Sequence, residues 1–263
     1  MAAEAPPTPP GTPLSPSRPR NRDASSREGD ALAAALAEAV GKLRVADSPP
    51  RAPRQAPVLL ILDVNGLLLD RQRSAPAPGA PPADLVYSAA PNGGGLRSYV
   101  YDRPHARDFA AWALQRFRVA VWSSAQMHNV RPLVAHVFGA AAAQLAFVWA
   151  QEHCTRDGSV SSRSGGVKPR FTKDLRRVWE AGLGEPDATL LVDDDAYKAA
   201  RNPPHTAIHP RAYTVAQRAH DDGLAPHAPL RRMLQRLADA RGVAVPDFVA
   251  ANPLAPDDAA HVS

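Results

Sequence analysis

The sequence predicts an α/β fold built on a parallel β-sheet, and three observations lead there. From Pro57 onward, short apolar runs alternate with segments of helical periodicity, which is the pattern of βαβ units. Three of those runs stop at oxygen-bearing side chains: Asp63, then Ser123 with Ser124, then Asp193 with Asp194 and Asp195. The chain, at 263 residues, is also long enough to enclose a sizeable core.

The first 56 residues stand apart. They hold ten of the 28 prolines and no aromatic residue, too little apolar area to offset chain entropy, so a disordered tail is expected over residues 1–56. One helix is expected inside it, over residues 31–44. Asp30 would cap it, and Leu32, Leu36, Val40 and Leu43 would form one apolar stripe. A folded domain is expected over 57–250, followed by a flexible C-terminal tail over 251–263.

Strands are predicted at Val58 to Leu62, Val119 to Trp122, Leu145 to Trp149 and Thr189 to Val192, with a shorter one near Thr206 to Ile208. In "HARDFAAWALQRF", Phe109, Trp112, Ala113 and Phe117 make one helix face. In "TKDLRRVWEAG", Leu175, Val178 and Trp179 do so before Gly182 stops the helix that Lys173 begins. The Pro- and Gly-rich insert from Arg71 to Gly95 is expected as a loop or irregular hairpin over the sheet edge.

Composition narrows the function classes. A net charge of +5 suits an acidic or phosphorylated partner, and direct nucleic-acid binding is not expected. The single cysteine, Cys154, excludes an internal disulfide, and no Cys/His grouping has zinc-ligand spacing. No apolar run is long enough to span a membrane and the N-terminus lacks a secretory core, so a soluble intracellular chain is expected.

Ligands of open parallel sheets bind outside the carboxyl ends of the strands. Three strands here would point oxygens into one crevice, and Lys173 would reach the same edge. Carboxylates from two strands make a hard-oxygen site suited to Mg²⁺. A hydroxyl and a lysine can hold phosphate oxygens, and a free carboxylate can attack phosphorus. Each element alone is commonplace, because an Asp after a strand is often a turn and a Ser-Ser is often a helix cap. Their order and spacing together are not.

The quoted segments carry a resemblance. "LDVNGLLLD", "YDRPHARDF", "VAVWSSA", "QEHCT", "TKDLRRVW" and "LLVDDDAYKAARNPP" together resemble the haloacid dehalogenase superfamily. Within it they are similar to the CTD-phosphatase group, also called NLI-interacting-factor-like. The resemblance implies a Rossmann-like three-layer sandwich around the parallel sheet, Mg²⁺, and dephosphorylation of phosphoserine or phosphothreonine in protein tails through an aspartyl-phosphate. It implies Asp63 as nucleophile and metal ligand, Ser123 as the phosphate-binding hydroxyl beside Ser124, Lys173 as the charge-neutralising lysine, and Asp193 and Asp194 as metal-holding acids. Lys168 in "GGVKPR" is a competing lysine, and Arg103-Pro104-His105 is expected to start a helix with a structural arginine.

Three positions depart from the pattern. Active relatives carry a second Asp two residues after the nucleophile, which protonates the leaving alkoxide and then activates water. Here that residue is Asn65, whose amide can neither give nor take that proton, although its backbone carbonyl can still meet Mg²⁺. Leu67 replaces a Thr or Val, and Gln151 stands where the small CTD phosphatases have an arginine near the phosphate. The expected function is an impaired phosphoprotein phosphatase. The alternative is a pseudophosphatase that binds phosphorylated or extended protein segments, as the CTD-phosphatase-like subunit of the mitochondrial inner-membrane translocase does. The nucleus or cytoplasm is the expected compartment, and mitochondria the alternative.

Overall fold

The computed structural model describes residues 57–89, 96–161 and 167–254. The tail over 1–56, its expected helix at 31–44 and residues 255–263 lie outside the described residues.

Five parallel strands form the central sheet: β1 (Leu59–Leu62), β5 (Arg118–Trp122), β6 (Val148–Trp149), β9 (Thr189–Val192) and β10 (Ala207–Ile208). Their spatial order is β10-β9-β1-β5-β6, so β1 lies in the middle. Its four residues pair with Arg118 to Val121 on one side and with Thr189 to Val192 on the other. Every residue of β1 is buried because the sheet is covered on both faces, which is why the strand reads as an unbroken apolar run.

Alternation sorts these side chains into two cores. Leu60 and Leu62 join Val119, Val121, Leu190 and Val192 beneath α1 (Ala106–Leu114), α2 (Met127–Phe138), α4 (Pro229–Asp239) and α5 (Val245–Ala251). Leu59 and Ile61 point the other way, with Ala120, Trp122 and Leu191, onto Leu175 and Val178 around α3 (Arg176–Glu180). The result is the expected three-layer, Rossmann-like sandwich. Each fully buried leucine in it contributes about 1.5–3 kcal/mol of burial.

Several local expectations need correction. The third predicted strand begins at Val148, not Leu145, since Gly139–Gln144 forms a 3-10 turn whose close leaves Leu145 to Phe147 as the approach to the strand. The helix expected to start at Lys173 is shorter and begins at Arg176; Lys173 follows directly on strand β8 (Val167–Thr172), which pairs antiparallel with β7 (Thr155–Ser161). The insert expected as a loop is partly a sheet: β2 (Leu69–Gln72), β4 (Arg97–Asp102) and β3 (Leu85–Ser88) pair antiparallel in that order. Helix α2 was hidden by Pro132, although Val130, Leu133, Val134 and Val137 keep helical spacing and Gly139, at φ 54, stops it. The last helix continues through Ala251, the position at which a tail was expected to begin.

The Arg103-Pro104-His105 segment joins β4 to α1. Arg103 is buried and grips Asp221 with two bonds, Nε to Oδ1 at 2.7 Å and Nη2 to Oδ2 at 2.9 Å, and its Nη1 donates to the Leu67 carbonyl. A Cβ on Gly223 would lie 2.2 Å from the same guanidinium, so that position has no room for a side chain. Removing one partner strands a buried charge. Asp221→Ala should therefore cost about 3–5 kcal/mol, read as a lowered denaturant midpoint with an unchanged slope.

Candidate active site

The site lies outside the carboxyl end of β1, where the connections reverse direction. After β1 the chain moves outward through β5 and β6, then crosses back to β9 on the opposite side. Such a switch point leaves an open crevice between diverging loops. Asp63 is the first residue past β1, and its backbone N–H donates to the Val192 carbonyl at 2.9 Å, which keeps it level with the end of β9. Asp193 is the first residue past β9, so the two carboxylates project side by side.

Lys173 comes from the β7–β8 hairpin side and joins them. Its Nζ donates to Asp63 Oδ1 at 2.8 Å and to Asp193 Oδ2 at 2.5 Å, and the lysine is fully buried. Burial alone would push its pKa down, but the Asp193 and Asp63 charges outweigh it and hold the pKa well above the ordinary lysine value. Its backbone is also clamped. The Lys173 N–H donates to the Lys198 carbonyl at 2.7 Å, while Asn202 donates to the Lys173 carbonyl at 2.9 Å and accepts from the Leu175 N–H.

Asp194 completes an acidic group in which oxygens of Asp63, Asp193 and Asp194 all lie within 4.8 Å of one another. Burial, and then the charges of Asp63 and Asp193, push its pKa up to about 8. Burial likewise raises Asp63 to about 6, against the pull of Lys173 and with a further push from Asp193. Among the described residues Lys173 is the cation in contact with this group, bonded to Asp63 and Asp193. Gly66 makes room for this crowding: its φ is 89, and a Cβ there would sit 2.3 Å from Asp194 Oδ2.

That donor set fits Mg²⁺. It consists of hard carboxylate oxygens from two adjacent strands, brought within 4.8 Å of one another. Loading it would release protons, so binding strengthens with pH.

The other expected residues fall on neighbouring loops. Ser123 is buried just past β5, with its N–H donating to the Trp149 carbonyl and its Oγ accepting from the Ala125 N–H at 3.3 Å. Ser124 is next to it and half-buried. Gln151 follows β6 in a 3-10 turn and is tied to the same loop by its N–H to the Ala125 carbonyl at 2.8 Å. Asn65 is exposed, and its Oδ1 accepts the Arg71 N–H at 2.7 Å, which fastens the turn to β2. Leu67 is fully buried under that turn. The Lys168 side chain lies outside the described residues.

Two residues of this neighbourhood were not singled out from sequence. Asn202 fixes the lysine-bearing turn, and its signal was its place before Pro203-Pro204. His209 donates from Nδ1 to the Asp193 carbonyl at 2.8 Å and is held below its ordinary pKa by burial. Nothing in the sequence around His209 marks it.

Comparison with known proteins places the chain. No curated protein matches it. Among solved structures it is similar in fold to a variant of the fission yeast RNA polymerase II CTD phosphatase Fcp1 bound to beryllium fluoride, at 14% identity and a TM-score of 0.45, over 70% of this chain and 52% of that one. It is also similar to Fcp1 described as an essential RNA polymerase II CTD phosphatase, at 13% identity and a TM-score of 0.43, over 78% of this chain and 59% of that one. The chain thus spans a little over half the length of these structures. The sequence profile described as NLI interacting factor-like phosphatase matches residues 58–241, from the first strand to just past α4. Carrying that profile across well over half its length, the chain belongs to the NLI interacting factor-like phosphatase family.

Proposed function

We propose that this chain is an Mg²⁺-dependent phosphoprotein phosphatase acting on phosphoserine or phosphothreonine through an aspartyl-phosphate, slowed by Asn65. The observation that carries the reading is the contact group at the end of β1, in which Asp63 and Asp193 share Lys173 beside Asp194. In the first step an Asp63 oxygen bonds to phosphorus as the serine oxygen departs. Lys173 offsets charge on the transferring group, and Ser123, Ser124 and Gln151 supply hydrogen bonds to its oxygens. The departing alkoxide takes its proton from water, since the Asn65 amide has none to give. Water then attacks the aspartyl-phosphate, which releases inorganic phosphate and restores Asp63.

Asp63, Asp193, Asp194 and the Asn65 carbonyl are the residues that would hold Mg²⁺. When bound, the ion supplies positive charge to the phosphoryl oxygens. The substrates are phosphorylated segments of other proteins, met in the nucleus or cytoplasm. Among the described residues no helix is long and apolar enough to cross a membrane.

The test is turnover of an aryl phosphate. It should be measurable with Mg²⁺, vanish with a chelator, and return on adding Mg²⁺ back. Turnover that persists in chelator would sink the metal assignment. A second reading, a crevice that binds such segments without turnover, draws on one observation: position 65 offers no ionisable group, and its side-chain oxygen is already engaged by Arg71. Phosphopeptide binding with no phosphoenzyme would favour it.

A further inference from the structure

The end of the molecule opposite the crevice carries a second feature. Helix α1 ends at Leu114 and β5 starts at Arg118, so Trp112 and Arg116 sit at the amino ends of the strands, on the order of 15 Å from Asp63. There Arg116 and Arg231 both lie over the Trp112 ring, at 5.1 Å and 4.8 Å from its centroid. Arg231 is neutralised by Asp108. Among the described residues Arg116 meets neutral oxygens, Gln235 Oε1 at 2.8 Å, the Trp112 carbonyl at 3.4 Å and Gln115 Oε1 at 3.5 Å.

Arg232 and Arg236 are exposed and one turn apart on α4, and among the described residues neither meets a carboxylate. They line both of two adjoining depressions. One, of about 390 Å³, is walled by Trp112 and Pro226. The other, of about 200 Å³, is walled by Pro229, Met233, Pro253 and Leu254. Asp239, on the same helix, accepts from Gln235 Nε2 at 3.0 Å.

We propose that this surface docks an extended phosphorylated protein segment, with the phosphate on Arg232 and Arg236 and an apolar residue in each flanking depression. The charge fits: two guanidiniums that meet no carboxylate among the described residues match a dianionic phosphate, whereas a single carboxylate would need one. The two apolar walls, one on either side of the arginine pair, suit a chain that runs across α4. The choice of occupant rests on the phosphoprotein reading above, whereas the existence of the docking surface does not.

Titration of the ¹⁵N-labelled full chain with a nonapeptide bearing one phosphoserine between two leucines tests it, read at the tryptophan indole resonances. Trp112 reports the docking surface, and Trp149, beside the Ser123 loop, reports the crevice. The Trp112 signal should move and saturate, and in Arg232→Gln/Arg236→Gln the affinity read there should fall about tenfold or more. Both arginines are exposed, so the melting temperature should not change. The same arginine variant should keep its aryl phosphate turnover. A still Trp112 signal overturns the proposal, as does equal movement with a glutamate peptide, or movement with phosphatidylserine vesicles alone. A Trp149 signal that stays still while Trp112 moves would count against the crevice reading and leave the docking surface standing.

Discussion

Asp63→Asn should reduce turnover by on the order of 10⁴-fold or more, and it should abolish any aspartyl-phosphate or beryllofluoride adduct. In the proposed mechanism the Asp63 carboxylate bonds to phosphorus, and removals of a covalent nucleophile have effects of that size. The fold should survive, and stability supplies a second reading. Asp63 holds its proton to about pH 6 rather than 3.8 because burial opposes its charge. An acid whose folded pKa is raised destabilises the native state once ionised, a cost absent below pH 3.8 and fully present above about pH 6. The stability of the natural chain should therefore fall relative to the uncharged variant as pH rises through that window. The difference is reduced by the acceptor that Lys173 loses in the variant. Full turnover in this variant would overturn the mechanism.

Asn65→Asp should raise phosphoserine turnover by about 10²–10⁴-fold, the ordinary worth of general acid-base help. The geometry favours the experiment. An aspartate keeps an oxygen for the Arg71 N–H that Asn65 Oδ1 now accepts at 2.7 Å, and its other oxygen is left to carry a proton at an exposed position beside the crevice. Aryl phosphates should gain much less, because a phenolate leaves without protonation. The same group would activate water for the second step, so a phosphoenzyme should build up in the natural chain and clear faster in the variant, as measured by acid quench. If the change does nothing for either substrate, Leu67 and Gln151 become the residues to substitute next.

What the sequence disclosed was the part with a strong local signature. The run "LLIL" announces a strand covered on both faces, and the carboxyl that ends it is visible without any structure. That Asp63, Asp193 and Asp194 meet follows once the strands are taken as parallel, since all three stand just past carboxyl ends; Lys173 arrives from the end of β8 in the antiparallel hairpin, where a helix start was expected. The antiparallel sheet of β2, β4 and β3 was not legible, because its strands are short, half-exposed and separated by Pro-rich chain that reads as loop. The docking of Asn202 onto the Lys173 carbonyl and of His209 onto the Asp193 carbonyl depends on long-range packing that no local pattern encodes. Helix α2 lay between, its periodicity present but interrupted by Pro132.

The central place of β1 has a consequence for synthesis. During translation this strand emerges first, yet its partner β9 follows roughly 130 residues later, on the order of ten seconds at 5–20 residues per second. Through that interval "LLIL" has no neighbour on one edge and no cover on the face that α3 later closes. Hydrophobic surface waiting that long invites chaperone capture or aggregation. A nascent chain stopped before Val192 lacks Asp193 and Asp194, and so cannot assemble the acidic group at all. The same ordering makes the late segment from α3 to β10 the step that both seals the sheet and creates the site, so pulse-labelling of stalled ribosomal chains should detect protection of β1 only after β9 has left the exit tunnel.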